Sequence, residues 1–242
     1  MKSKTGKIIL VVSLIGNLIL LGVLATFVKK QGGTNYVKSV LHIPYDQPYN
    51  QNPQYIGRTE LFNQLTIPQD FIVFLGDSLT QRSEWNEMFN SNKIVNRGIE
   101  SDTTEGVLHR LDSITAAKPS KIFLMIGIND LRIGKEVNDV IKNYSKILET
   151  IHTKSPNTEI YVQSILPVNN KIVGDIVDNS DVTNINKHLK RLAEKYNYGY
   201  IDLYSKFSQD NQLKSELTID GIHLKGQGYK IWKSSIEREL KK

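Results

Sequence analysis

Phe71-Ile72-Val73-Phe74-Leu75-Gly76-Asp77-Ser78-Leu79-Thr80 carries an apolar run into a polar turn. The run is unbroken from Phe71 to Leu75 and rich in β-formers, as in a strand buried on both faces. Gly76-Asp77 ends it, and residues 79–90 carry a helical pattern. Ser78 therefore falls at a strand-to-helix turn, beside backbone N–H groups that favour negative charge. That position suits a nucleophile. It equally suits a plain N-cap, a role serine fills routinely.

Beyond this stretch, strand and helix signals alternate. Ile94 to Asn96 reads as a short strand ending at Arg97-Gly98, followed by a helix over 103–115. Lys121 to Ile126 is a second strong apolar strand, ending at Gly127-Ile128-Asn129-Asp130. Residues 136–154 have helical spacing through Val137, Ile141, Tyr144, Ile147, Leu148 and Ile151. Glu159 to Leu166 is a strand stopped by Pro167. A loop over 168–182 leads to a helix near 183–196, a last strand Tyr200–Leu203, a long loop over 204–224 and a closing helix over 226–240. Residues 56–66 form a short helix ahead of the first strand. This alternation predicts an α/β domain, a mostly parallel five-stranded sheet with helices on both faces. No internal repeat or second domain is visible.

Upstream, Ile8 to Val28 is 21 residues without a charge. At the helical rise it spans roughly 31 Å, about a bilayer core. Residues 1–30 read as an N-terminal transmembrane helix. The lysine-bearing N-terminus favours a cytoplasmic start, so the rest lies outside the cell membrane, although Lys29 and Lys30 weaken that vote. The alternative is a signal peptide cleaved near Val23-Leu24-Ala25, which gives a secreted protein. Residues 31–55, with Gly32-Gly33, Pro44, Pro48 and Pro53, read as a linker, and 56–242 as the folded domain.

The formal charge of +6 is concentrated in the first segment. Five of the 31 basic residues lie in 1–30, leaving 26 against all 25 acids. The excess belongs to membrane flanks and argues against a nucleic-acid partner. The chain has no cysteine, which excludes disulfides, thiolate metal sites and a cysteine nucleophile. No His/Asp/Glu spacing reads as a metal site, and Gly226-Gln227-Gly228 is too short for a phosphate loop, so neither metal nor cofactor is expected.

In an open α/β sheet, ligands bind beyond the carboxyl ends of the strands. Ser78, Gly98 and Asn129 each follow a strand, and His223 follows the last one in Asp220-Gly221-Ile222-His223-Leu224. Topology thus predicts one shared edge for residues up to 145 positions apart. The residue types suit acyl transfer. Ser78 needs a base, His223 can supply it, and Asp220 can orient the imidazole. The N–H groups of Ser78 and Gly98 and the Asn129 amide are candidate oxyanion donors. Taken singly, Gly98 is a turn glycine, Asn129 a turn or cap residue and His223 a structural loop histidine. Asp77 reads as a cap, Asp102-Thr103-Thr104 as a helix start, and Trp85 and Phe89 as core. His42, His109, His152 and His188 read as surface or packing residues.

These blocks together resemble the SGNH hydrolases, the GDSL esterases and lipases. Gly76-Asp77-Ser78-Leu79 matches the block with the nucleophile. Asn96-Arg97-Gly98 matches the block with the glycine donor. Gly127-Ile128-Asn129-Asp130 matches the block with the asparagine, and Asp220-Gly221-Ile222-His223 the block with Asp and His. Asn96-Arg97-Gly98-Ile99 with Asp102-Thr103-Thr104, and Gln163-Ser164-Ile165-Leu166-Pro167-Val168, look like the branch near platelet-activating-factor acetylhydrolase. The likeness covers about residues 56–240. It implies a three-layer α/β/α flavodoxin-like fold and metal-free ester hydrolysis. The anchor and spacer point to small acyl groups, above all O-acetyl, on cell-surface polysaccharide. A lysophospholipase or lipase, with Ile172, Val173, Ile176 and Val177 as a lid, is the first alternative; an O-acetyltransferase using the same serine is the second. A non-catalytic binding module is the reading from another class, against which the complete residue set argues.

Overall fold

The computed structural model describes residues 4–30 and 49–241. The chain divides into two units, residues 1–45 and 46–242.

In the first unit, α1 (Lys4–Lys30) is one helix whose segment Leu10–Lys30 is long and apolar enough to cross a membrane. Its large apolar side chains from Leu10 to Phe27 are exposed. Most of the predicted spacer, and His42 with it, lies outside the described residues.

In the second unit the strands are β1 (Ile72–Gly76), β2 (Ile94–Gly98), β3 (Lys121–Met125), β4 (Glu159–Gln163) and β5 (Gly199–Ile201). They form one parallel sheet in the order β2-β1-β3-β4-β5. The major helices are α2 (Pro53–Gln64), α5 (Thr104–Ala117), α7 (Val137–Lys154), α9 (Asn179–Lys195) and α11 (Gly226–Lys241), with short helices α3 (Ser78–Gln81), α4 (Trp85–Met88), α6 (Ile128–Arg132), α8 (Asn170–Val173) and α10 (Tyr204–Phe207) between them.

Strand residues alternate between two cores. Val73, Leu75, Ile122, Leu124, Ile160 and Val162 pack on α5, α7 and α9. Phe74, Phe123, Met125, Tyr161 and Ile201 pack on the other face, with Trp85 of α4 and Tyr229, Trp232 and Ile236 of α11. The second core is largely aromatic: the Phe74 ring stacks on Trp85 at 4.3 Å and on Phe123 at 5.1 Å. This is the expected three-layer α/β/α arrangement. The chain leaves β1 towards opposite edges of the sheet, which opens a crevice beyond the carboxyl ends of β1 and β3.

Several boundaries differ from the sequence reading, each for a local reason. The helix expected over 79–90 is broken into α3 and α4. The Asn96 side-chain amide faces the carbonyls of Thr80, Gln81 and Ser83, and the Trp85 indole N–H bonds Thr80 O, so carbonyls a continuous helix would use are taken. β4 stops at Gln163, three residues short of expectation, where the Asn186 side chain bonds both N–H and C=O of Ile165. α9 begins at Asn179 because Asp178 caps it and the Asn179 amide clamps Val168. α2 begins at Pro53, with Asn52 as cap, and its Tyr55 is buried beside Phe62 and Ile99, so packing starts ahead of residue 56. The stretch 204–224 contains α10 and a two-residue hairpin turned at Asp210-Asn211, both with positive φ.

Candidate active site

The turn after β1 is shaped by what glycine permits. A Cβ on Gly76 would lie 2.3 Å from Met125 O, so only glycine lets β1 end between β3 and the turn. Asp77 is then extended, and its carboxylate accepts the Leu79 N–H at 2.9 Å, capping α3. Ser78 opens that helix and is buried. Burial pushes the Asp77 carboxyl up to about 7, with Asp102, Glu100 and Asp130 adding to the rise and the Leu79 N–H opposing it. Asp77 thus does what its sequence position suggests.

The histidine loop is pinned by its own polar groups. Thr218 Oγ1 accepts the Gly221 N–H and donates to His223 O. Asp220 Oδ1 accepts the N–H groups of Ile222 (3.0 Å) and His223 (2.8 Å), an Asx turn. Gly221 sits at φ +90°, against Val173 and Asn169. α11 starts three residues after His223, and its Tyr229 hydroxyl donates to Leu79 O at 3.0 Å. That contact draws the histidine loop onto the serine turn.

The outcome is a continuous chain of hydrogen bonds. His223 Nδ1 lies 2.7 Å from Asp220 Oδ2, and His223 Nε2 lies 3.1 Å from Ser78 Oγ. The imidazole is largely buried, whereas the Asp220 side chain is 48% exposed. Burial pushes the Asp220 carboxyl up, but hydrogen bonds from the His223 side chain and the N–H groups of His223 and Ile222 outweigh it and hold it at about 2. An ionised Asp220 accepts from Nδ1–H, which leaves Nε2 as the acceptor facing the serine hydroxyl.

Asn129 reaches the same edge from α6. Its Oδ1 accepts from Arg132 at 2.9 Å and its Nδ2 donates to Asp102 O at 2.9 Å, which orients the amide. The amide nitrogen carries a second hydrogen. Asp102 is itself bound to Arg110 at 2.7 Å, both side chains almost wholly buried, and Arg110 donates to Gly76 O at 3.1 Å. This ion pair ties the strand end before Ser78 to the loop that holds Asn129. Asp130 accepts the N–H and hydroxyl of Thr104, and burial pushes its carboxyl up to about 7.

Gly98 ends β2. Its N–H already donates to Asn96 Oδ1 at 2.9 Å, so it is not a free donor. Its glycine identity is steric: a Cβ would lie 2.3 Å from Gln81 N. In the following loop, Ile99, Glu100 and Asp102 N–H groups bond Gly76 O, Gln81 Oε1 and Ile99 O. Ser101, at φ +60°, has the one N–H there without a bond among the described residues. Sequence reasoning passed over Ser101 because a left-handed turn is normally signalled by glycine. It also passed over Glu100, between the strand ending at Gly98 and the helix over 103–115, and Arg82, inside the helix expected over 79–90. Glu100 Oε1 lies 3.7 Å from His223 Nε2 and pairs with Arg82 at 3.2 Å. Among the described residues, no cluster of three or more acidic or histidine side chains could hold a metal. His109 stacks on Tyr49, and His152 meets Tyr196 and Tyr198, as packing residues do.

The three-layer fold gathers serine, histidine and two acids at the carboxyl edge of its sheet, side chains that an ester-cleaving hydrolase requires. The chain belongs to the GDSL-like Lipase/Acylhydrolase family, whose model matches residues 74–231. Rat platelet-activating factor acetylhydrolase IB subunit alpha2 is 30% identical over 166 residues, 65% of this chain and 70% of that protein. A solved structure described as a platelet activating factor from Streptococcus pneumonia is 32% identical, covering 77% of this chain and 92% of its own, with a TM-score of 0.70. The acetyl xylan esterase AlAXEase shares the fold at 19% identity, covering 70% and 98% of the two chains, with a TM-score of 0.60.

Proposed function

We propose that the protein is a serine esterase that removes small acyl groups, above all O-acetyl, from cell-surface carbohydrate. Ser78 is the nucleophile, His223 the general base and then acid, and Asp220 the carboxylate that orients the imidazole. The observation that carries this reading is the Asp220–His223–Ser78 chain, with steps of 2.7 and 3.1 Å, joining residues 145 positions apart.

His223 Nε2 takes the hydroxyl proton as Ser78 Oγ bonds the ester carbonyl carbon. The carbonyl oxygen becomes an oxyanion, bound by the Ser78 N–H and the second Asn129 Nδ2 hydrogen. As the intermediate collapses, the bond to the alcohol oxygen breaks and the imidazolium returns its proton to that oxygen. Water then repeats the cycle on the acyl-serine and releases the acid. Gly98 contributes by close packing, as its committed N–H requires.

The domain organisation is part of the proposal: residues 1–30 anchor the chain in the cell membrane, 31–55 act as spacer and the rest lies outside. The length and hydropathy of α1 and its N-terminal lysines support this. The segment 168–182 is tied to the rest of the domain at several points, although Ile172 is exposed. Val177 is buried, the Asn170 side chain bonds Val177 O, and Asn169 N bonds Gly221 O.

The test is hydrolysis of nitrophenyl esters, from acetate upward, by the full chain and its Ser78→Ala variant. Acetate should be cleaved best, and Ser78→Ala should lose nearly all turnover. Equal rates in the two proteins overturn the serine mechanism, and a steep preference for long chains overturns the small-acyl assignment.

A further inference from the structure

We propose that Arg82 and Glu100 form the subsite for the alcohol half of the ester and bind it through hydroxyl groups, which selects an acylated polyol over an acylated lipid. This rests on the serine reading above.

The argument begins at His223 Nε2. That nitrogen is 3.1 Å from Ser78 Oγ and 3.7 Å from Glu100 Oε1. In acyl transfer it must hand its proton to the departing alcohol oxygen, which therefore comes within about 3 Å of it. The substituents next to that oxygen then lie against the Glu100 carboxylate. No other acid apart from Asp220, which sits on the far ring nitrogen, is paired with the imidazole among the described residues.

Glu100 is placed, not merely nearby. Its backbone N–H is held by Gln81 Oε1, and its two carboxylate oxygens meet Arg82 Nε at 3.3 Å and Nη2 at 3.2 Å. Arg82 directly follows α3, so the pair bridges the serine turn and the β2 loop at the mouth of the site. Both side chains are partly open, 42% for Arg82 and 30% for Glu100. The pair leaves carboxylate lone pairs and guanidinium hydrogens unspent, side by side. A sugar hydroxyl donates and accepts at once and satisfies both. An alkyl chain would cover these charges without replacing their hydrogen bonds.

The test uses the full chain in non-ionic detergent, with Glu100→Gln, Glu100→Ala, Arg82→Ala and Ser78→Ala. The substrates are an O-acetylated xylo-oligosaccharide, 4-nitrophenyl acetate and a 2-acetyl ether phospholipid. The readout is the ratio of kcat/KM on the sugar ester to that on the nitrophenyl ester, with melting temperature as the check of folding. Each Glu100 and Arg82 variant should lower that ratio by about 10- to 100-fold, the scale of a lost hydrogen bond to a charged group. The unmodified chain should prefer the sugar ester to the phospholipid. A ratio that stays within about threefold, even if both rates fall together, overturns the subsite, as does a preference for the phospholipid. Activity surviving in Ser78→Ala instead overturns the serine reading on which the subsite depends. Glu100→Gln keeps the shape and one of the two hydrogen bonds from Arg82, so it serves where Glu100→Ala fails to fold.

Discussion

Asp220→Asn isolates the tautomer argument. In the native site Oδ2 accepts from His223 Nδ1 at 2.7 Å, while Oδ1 accepts the N–H groups of Ile222 and His223. Asparagine keeps an oxygen for both loop bonds, so the loop should hold. Its amide nitrogen, however, donates towards Nδ1 and drives the proton to Nε2. The imidazole then donates to Ser78 Oγ and cannot accept its proton. For the buried triad aspartate of a serine protease this change costs about 10⁴ in kcat. Here the carboxylate is 48% exposed, and water can supply part of the lost acceptor. We therefore expect a loss of about 10³, or about 4 kcal/mol of transition-state stabilisation. The assay is kcat on 4-nitrophenyl acetate at pH 8, with thermal melting in parallel. Asp220→Ala should lose as much activity and also melt lower, because it surrenders the two loop bonds. An Asp220→Asn protein that stays folded and works within tenfold of the native rate would refute the tautomer reasoning.

Gly98→Ala drives a Cβ to within 2.3 Å of Gln81 N, so it should destabilise the domain by about 1–3 kcal/mol and misplace the serine turn; denaturant midpoints and kcat together check this, and native values in both would reject the steric role. Arg110→Met leaves Asp102 charged and buried without its partner, for an expected loss of about 3–5 kcal/mol in urea unfolding. Asp77 and Asp130 are pushed from 3.8 to about 7, so the folded state keeps protons that the unfolded chain releases. Their contribution to stability is full below about pH 4 and declines as pH rises through 7. Asp77→Asn retains the cap acceptor and should flatten the fall in urea midpoint between pH 4.5 and 7.5; an unchanged slope would reject the assignment. Asp220, held at about 2, acts in a different window, its contribution being lost only as pH falls from about 4 towards 2.

Local chemistry settled much of this protein in advance. The Phe71–Leu75 run, the alternation after it and the turns at Asp77, Asn129 and His223 are properties of short segments. Period and turn residues are written in the order of the chain, and so they predict strands, helices and the shared carboxyl edge. Tertiary structure decided what needs partners far apart in sequence. The Asn96 side chain breaks the helix after Ser78 and also accepts the Gly98 N–H, a pairing that the sequence of the turn does not announce. Ser101 adopts a glycine-like conformation that its residue type conceals. Glu100, indistinguishable in sequence from a solvated loop charge, stands beside His223 only because the β2 loop and the histidine loop meet over the serine turn. Hydrogen-bond commitments and charge neighbours are set by three-dimensional proximity, which no local pattern encodes.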